Sequence, residues 1–448
     1  MNHRAYLALA IPLTISTMTT PLLGAVDTAV VGQLANPAYI GGVAVGSLIF
    51  STLYWLFGFL RVSTSAFAAQ ANGAQNEEQG VLAFLRPFLL ATIVGLCFIA
   101  LQWPIIQSAL WIISPAADVR EYAADYFHIR IWGAPFTLMN YVILGWLMGM
   151  AKMKEALSLQ ILINVMNMIL ALILVHAFSF AVKGVAAATL ISELTAFVLG
   201  AWIILKHTSN GFRMPSIQQV MDTRAVKKMF HVNKDLFIRT ICLLVVINMF
   251  TAKGASFGTE QLAANAILFQ IHYIMAYLFD GFANASSILV GRSVGANDRA
   301  LYDKTLTLSR QWAVVMACVI AAGYFFFKVP ILSLFTNLPQ LLDVTLQYAD
   351  WLVLYPFAAC FGLVIYGVFT GATEIAPVRN SMLFAMILFV AVQAAVIPIW
   401  HNHGLWFAFI IYTVGRSGFL MMYKSKLDQK LFLHEKHPLQ SWGLTPKD

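Results

Sequence analysis

The sequence predicts an all-α polytopic membrane protein with twelve transmembrane helices in two pseudo-symmetric six-helix bundles. Three observations predict it. Of the 448 residues, 60% are hydrophobic and only 11% charged, a balance foreign to water-soluble domains. Apolar runs of about 20 residues or more recur along the chain, each able to cross a bilayer as a helix. Sequence marks also return after a shift of about 222 residues, as an internal duplication requires.

Twelve spans are read at approximately 5–34, 41–71, 80–112, 121–150, 155–178, 183–206, 226–253, 260–295, 304–335, 341–372, 377–400 and 404–424. Basic residues orient them. Lys152, Lys154, Lys206, Arg213, Arg224, Lys227, Lys228, Arg299, Lys304 and Arg379 fall in alternate connections, and Lys424, Lys426, Lys430, Lys436 and Lys447 in the tail. The other connections hold only Arg120, Lys183, Lys253 and Lys328. This bias puts both termini in the cytoplasm. The net charge of +8 follows these connections and implies no nucleic-acid partner. His207 to Ala225 reads as a linker, giving an N-terminal bundle over 1–207, a cytoplasmic linker over 208–225, a C-terminal bundle over 226–424 and a cytoplasmic tail over 425–448. Met1 to Arg4 lead directly into the first span, so no removable signal peptide is expected. Cys97, Cys242, Cys318 and Cys360 fall in apolar spans and are expected to be buried thiols without disulfide or metal.

The repeat supports the bundle reading. Phe57 falls on Phe279, Ser65 on Ser287, Gly73-Ala74 on Gly295-Ala296, and Gly32 on Gly254. Gly145 and Gly149, four apart, fall on Gly367 and Gly371. Six spans per half start both bundles on the same side, so the repeat is parallel and its two halves can rock in alternating access.

The first span, Pro12 to Leu34, carries two prolines and one carboxylate, Asp27. A charge in hydrocarbon costs roughly 2.5–3.5 kcal/mol on insertion scales, so Asp27 is expected to face a wet cavity or to be protonated much of the time. Pro12 and Pro21 each remove a backbone donor and let the helix bend. Asp280, in Leu278-Phe279-Asp280-Gly281, is a carboxylate in the second half, open to an ion or substrate role or to a structural pair. Asn140, Asn164 and Asn167 can bond across helices or line a polar pocket. Lys253 reads as a snorkelling lysine at the outer end of the seventh span, with a cavity role as the alternative. Structural pairing is the default for Arg61, Arg130, Arg292, Asp125 and Asp350. Asp235 and Arg239, four apart, have the spacing of a local pair. The 18 Met and 33 Phe suit an adaptable drug pocket or lipid-facing filler. No P-loop, His-x-x-x-His or Gly-x-Ser-x-Gly motif appears, and His128 and His272 are isolated, so no enzyme activity and no cofactor are expected. Uphill transport must then draw on an ion gradient, worth roughly 2.3 kcal/mol per charge across about 100 mV.

His3 to Ala10 (HRAYLALA), Thr19 to Val30 (TTPLLGAVDTAV) and Tyr54 to Arg61 (YWLFGFLR) resemble the multidrug and toxic compound extrusion (MATE) transporters, specifically their DinF branch. With the layout above, the resemblance covers the whole chain. It implies a MATE/MOP-type fold and a bacterial inner-membrane antiporter exporting cationic or amphipathic drugs. It also makes Asp27 the cation-coupling residue. Many relatives carry an acidic residue four positions after the Asn of the fifth span; here that place is Ala171. One isolated carboxyl can carry a proton, whereas Na⁺ benefits from a second oxygen ligand, so H⁺ coupling is expected over Na⁺. The expected protein is a monomer among membrane lipids, with its substrate between the bundles or within the first. Arg292, Asp280, Lys253, Pro21 and the three asparagines remain candidates for cavity or coupling roles. The alternatives are Na⁺ coupling through Asp280, or a lipid or oligosaccharide flippase lined by Arg61, Arg130 and Arg292.

Overall fold

Hydrocarbon supplies no hydrogen bonds, so each crossing must satisfy its backbone internally. The result is an almost wholly helical chain. The structure is a computed structural model that describes residues 1–32, 37–178, 180–208, 215–336 and 338–432; the side chains of 19–32, 37 and 208 fall outside the described residues. Its helices are α1 (His3–Gly32), α2 (Pro37–Phe57), α3 (Phe59–Gly73), α4 (Glu77–Ala100), α5 (Gln102–Ile113), α6 (Ala117–Arg130), α7 (Ala134–Gly149), α8 (Met153–Leu172) and α9 (Ala181–Thr208). They continue as α10 (Ile217–Val220), α11 (Thr223–Ala255), α12 (Thr259–Gly295), α13 (Arg299–Ser333), α14 (Pro339–Ala349), α15 (Trp351–Gly371), α16 (Ala376–Met422) and α17 (Lys424–Phe432). A 3-10 turn, Ile131–Gly133, joins α6 to α7, and a π turn, Ile173–Ala177, ends α8.

Among the described residues, 10 helical segments are long and apolar enough to cross a membrane. α1, half of whose side chains lie outside the described residues, is an eleventh helix of sufficient length. α16 supplies two crossings. Its 47 residues would run roughly 70 Å if straight, over twice the hydrocarbon thickness. It breaks instead at His401 (φ 48°, ψ −123°), three residues past Pro398. The surface agrees with a lipid solvent. Ile93, Leu96, Trp111, Trp202, Val319 and Phe326 are all exposed, a density of apolar groups that water would not tolerate. Cys97 and Cys318 share this exposure, so the expectation of four buried thiols fails for them; Cys242 and Cys360 are buried, and all four are free. A thiol is apolar enough to face acyl chains as readily as a core.

The chain forms two compact units, one of Met18–Val226 and one of Met1–Thr17 with Lys227–Asp448. In the second, α1 opens against α12. Tyr6 shares a hydrogen bond with Ser286 (3.0 Å), and the Thr17 hydroxyl donates to the Tyr277 carbonyl (3.1 Å). A Cβ on Gly281 would fall 2.1 Å from Thr14 Oγ1, so only glycine permits this approach.

The duplication recurs as geometry inside each unit. A Cβ on Gly145 or Gly149 would meet the carbonyl oxygens of Arg61 and Ser65 at 2.4 and 2.5 Å. On Gly367 or Gly371 it would meet those of Ala283 and Ser287 at 2.0 and 2.1 Å. All four pairs obey the same shift. So do the helix starts: Asn76 accepts from the Gln79 N–H at 3.0 Å, and Asp298 from the Leu301 N–H at 2.8 Å. Just before each cap the backbone turns left-handed, at Gln75 and Asn297 (both φ 51°), and it does so again at Ala151 (φ 64°) and Thr373 (φ 58°).

Ion pairs occupy the span ends. Asp125 pairs with Lys183 at 3.3 Å and Asp350 with Lys328, the structural roles expected of both acids. Asp235 does not pair with Arg239. It takes Arg379 at 2.6 Å, and Arg239 stacks over Tyr366 at 4.3 Å. A guanidinium over an aromatic face keeps its charge favourably placed while freeing the acid for a partner 144 residues away.

Candidate functional site

The Met18–Val226 unit builds a polar cluster around α9. This helix packs against α6, α7 and α8. Thr189 and Glu193 lie one turn apart, so they share one face. Asn167 of α8 donates to the Thr189 hydroxyl at 3.1 Å. Asn140 of α7 donates to the Glu193 main-chain carbonyl at 2.9 Å. Arg130, the last residue of α6, brings its guanidinium to 4.0 Å from Glu193 Oε1, a charge contact too long for a hydrogen bond. The guanidinium also donates to the Tyr126 hydroxyl at 2.8 Å. It lies over three rings, Phe50 at 4.9 Å, Tyr126 at 5.6 Å and Tyr54 at 5.8 Å. The aromatic faces help hold a cation in an apolar bundle.

Several atoms here are buried without a hydrogen-bond partner among the described residues: Asn140 Oδ1, Asn164 Nδ2, Asn167 Oδ1 and Glu193 Oε2. Native interiors rarely leave such atoms unpaired, because each costs about 1–3 kcal/mol unless a solute, ion or water meets it. Ala171, one turn beyond Asn167, is fully buried and adds no oxygen.

The expected site residues divide as follows. Asn140 and Asn167 join the cluster; Asn164 lies on α8 one turn from Asn167 and accepts from Gln160 at 3.5 Å. Pro21 and Asp27 belong to α1, with side chains outside the described residues. Asp280 and Arg292 lie on α12 in the other unit, separated by roughly 18 Å of helix rise. Asp280 accepts from the Asn284 amide one turn on, at 3.2 Å. Arg292 leaves Nε and one terminal nitrogen buried and unbonded among the described residues. Lys253 is exposed in the last turn of α11. Among the described residues no group of three His, Cys, Asp or Glu is spaced to hold a metal ion.

Sequence reasoning passed over Glu193. The available signal was a carboxylate midway along an apolar run, ten residues past Lys183 and thirteen before Lys206.

The comparisons with known proteins agree with this architecture. The MatE family model matches residues 12–173 and 237–395. The chain is 34% identical over 421 residues to DNA damage-inducible protein F of Escherichia coli K12, covering 93% of this chain and 90% of that one. It is 25% identical over 416 residues to the chloroplastic protein DETOXIFICATION 44 of Arabidopsis thaliana, covering 89% and 78%. Its fold superposes on an outward-facing multidrug resistance MATE family transporter of the MOP superfamily with a TM-score of 0.87, at 19% identity over 96% of both chains. A MOP superfamily transporter from Pyrococcus furiosus gives a TM-score of 0.85, at 19% identity over 95% and 96%. Matched over both halves by the family model and over nine-tenths of its length by a curated relative, the chain belongs to the MatE family of multidrug and toxic compound extrusion transporters.

Proposed function

We propose that the protein is a secondary active efflux transporter that exchanges H⁺ for cationic or amphipathic drugs by alternating access in a bacterial inner membrane, with both termini cytoplasmic. Its bundles are the two sequence halves 1–207 and 226–424, joined by the cytoplasmic 208–225. Asp27 is the proton-binding residue. Protonation changes its hydrogen bonding, bends α1 at Pro21, shrinks the drug pocket and releases the drug.

One observation carries the reading: within the N-terminal bundle, Asn140, Asn164, Asn167 and Glu193 each keep a buried polar atom unbonded among the described residues. Such atoms are costly in a bundle surrounded by lipid, unless they line a space that exchanges its contents. The buried Ala171 supplies no second carboxylate beside Asn167, which supports a proton over Na⁺ as the coupling ion. Arg130 is engaged by Glu193, which speaks against a free arginine lining for lipid-linked sugars.

Two measurements test the reading. Asp27→Asn should abolish drug efflux from cells; undiminished export removes Asp27 from the mechanism. In proteoliposomes an imposed proton gradient should drive drug release, and release driven by Na⁺ at fixed pH would overturn proton coupling.

A further inference from the structure

We propose that the groove between α13 and α15 binds one anionic phospholipid, its phosphate held by Arg310 and Lys424 and an acyl chain lying along the apolar walls. The proposal concerns the C-terminal unit alone, and it stands whichever ion drives export.

The sequence of α13 sets the depth of Arg310. Between Arg310 and Lys328 the helix carries no charged residue. Residues 310 to 328 advance it by roughly 27 Å, close to the hydrocarbon thickness of about 30 Å. Val314, Val315, Val319 and Phe326, all exposed, lie between the two cations and suit acyl chains. Lys328 closes one end of this interval and pairs with Asp350. Arg310 closes the other, at the depth of the phosphates. A guanidinium facing lipid at that depth is well placed when it meets a phosphate and costly when it does not.

The groove has the parts such a ligand needs. Arg310 and Lys424 line one cavity, and Leu306, Ala313, Phe361 and Val364 supply its apolar wall. Arg310 is exposed and Lys424 half-buried, whereas Ala313 and Val364 are buried. Accessible cations beside buried hydrocarbon match the order of a phospholipid's own parts. A guanidinium grips a phosphate through two N–H donors, and an ammonium adds a point charge.

Charge selects the sign of the ligand. Asp303 and Asp428 share with Arg310 the electrostatic neighbourhood of Tyr302. Both acids are engaged by other groups. Asp303 lies 3.8 Å from Arg299, and Asp428 takes Lys424 and, at 2.7 Å, the Tyr302 hydroxyl. Arg310 makes no ion pair with a described residue. Arg310, Lys424 and Asp428 together leave one positive charge, which one phosphodiester neutralises. A cationic drug would be repelled, and a soluble anion would leave the apolar wall unused. With both termini cytoplasmic, as proposed above, the groove meets the inner leaflet, whose surface is rich in anionic lipids.

The groove also adjoins the seat of α1. Ser309, a buried lining residue, shares a hydrogen bond with Ser286 at 2.7 Å, and Ser286 shares one with Tyr6 at 3.0 Å. A lipid lodged here therefore braces the chain of hydroxyls that holds α1.

Native mass spectrometry of the delipidated full-length protein, titrated with phosphatidylglycerol or phosphatidylcholine of matched acyl chains, tests the proposal. Wild type should bind one phosphatidylglycerol in preference to phosphatidylcholine, and its thermal unfolding in detergent should move upward with that lipid. Arg310→Gln should weaken the binding about fivefold or more, the factor expected of one basic group near a membrane surface, and erase the preference. Arg310→Lys should retain the preference. Lys304→Gln removes another exposed cation of α13 that lies outside the cavity lining, and binding should survive it. Excess inorganic phosphate should fail to displace the lipid. Equal binding of both lipids to wild type, or an unchanged preference in Arg310→Gln, would overturn the proposal. So would equal losses in Arg310→Gln and Lys304→Gln, which would reduce the effect to general surface charge. Displacement by inorganic phosphate would do the same by making this a site for soluble anions. If Arg310→Gln fails to fold, the wild-type comparison of the two lipids decides alone.

Discussion

The two units share a scaffold and differ in what they enclose. In each, a pair of glycines four residues apart lets one helix lie on the backbone of another, at positions related by the same shift. In each, an Asn or Asp caps the next long helix after a left-handed residue. The polar clusters inside do not follow this symmetry. The C-terminal unit ties Asn265, Asn402 and Trp406 into a closed set. Asn265 donates to Asn402 at 2.8 Å, Asn402 donates back at 3.0 Å, and the Trp406 indole donates to Asn265 at 2.9 Å. The N-terminal unit surrounds Glu193 with partners that leave oxygens over. At the shifted positions of Arg130 and Asn140 the second half carries Leu352 and Gly362. Duplication kept the packing rules, which depend on backbone contact. It released the polar side chains, which are free to diverge wherever the helices still fit. A closed network adds rigidity, and an incomplete one invites something else to bind.

The contrast can be broken at three points. The largest effect belongs to the glycine seam. Gly149→Val and Gly371→Val should each destabilise by about 3 kcal/mol or more, since the new atoms meet backbone at Ser287 and, at Gly149, backbone and the Ala68 Cβ, none of which can swing aside. Thermal unfolding in detergent should show similar losses for both; a tolerated substitution in one half would mean that the scaffold is not shared. Next comes Asn265→Ala, which strands the Asn402 amide and the Trp406 N–H and should cost about 2–3 kcal/mol. Unchanged thermal stability would show that the C-terminal cluster is not the rigid one. The smallest stability change is expected for Asn140→Ala, about 1 kcal/mol or less, because one hydrogen bond goes while an unpaired oxygen is also removed. Drug export should fall nonetheless. A variant that exports normally, or loses as much stability as Asn265→Ala, would erase the distinction between the clusters.

Much of this fold is legible in the sequence because its rules are local or periodic. Span length and the spacing of Gly145-Gly149 and Gly367-Gly371 act within a few turns or recur at one shift. Partner choice is not local. Asp235 and Arg239 have ideal spacing, yet each finds a better partner that only tertiary packing supplies. Glu193 was hidden for a related reason. A single carboxylate in an apolar run is visible, but its meaning comes from Arg130 and Asn140, which lie more than fifty residues earlier. Proline flags a bendable helix such as α1 directly. No residue flags the 3-10 turn at Ile131–Gly133.

The seating of α1 has a consequence for biogenesis. Tyr6 and Thr17 are translated well before their partners, Ser286 and Tyr277, which follow 280 and 260 residues later. At about 5–20 residues per second, the ribosome needs roughly 15–50 s to deliver them. For that interval the opening helix is already inserted but lacks the neighbours that anchor it. A helix that enters the bilayer well before α12 is thus among the last to settle, and a ribosome stalled before α12 emerges would leave it exposed to quality-control proteases.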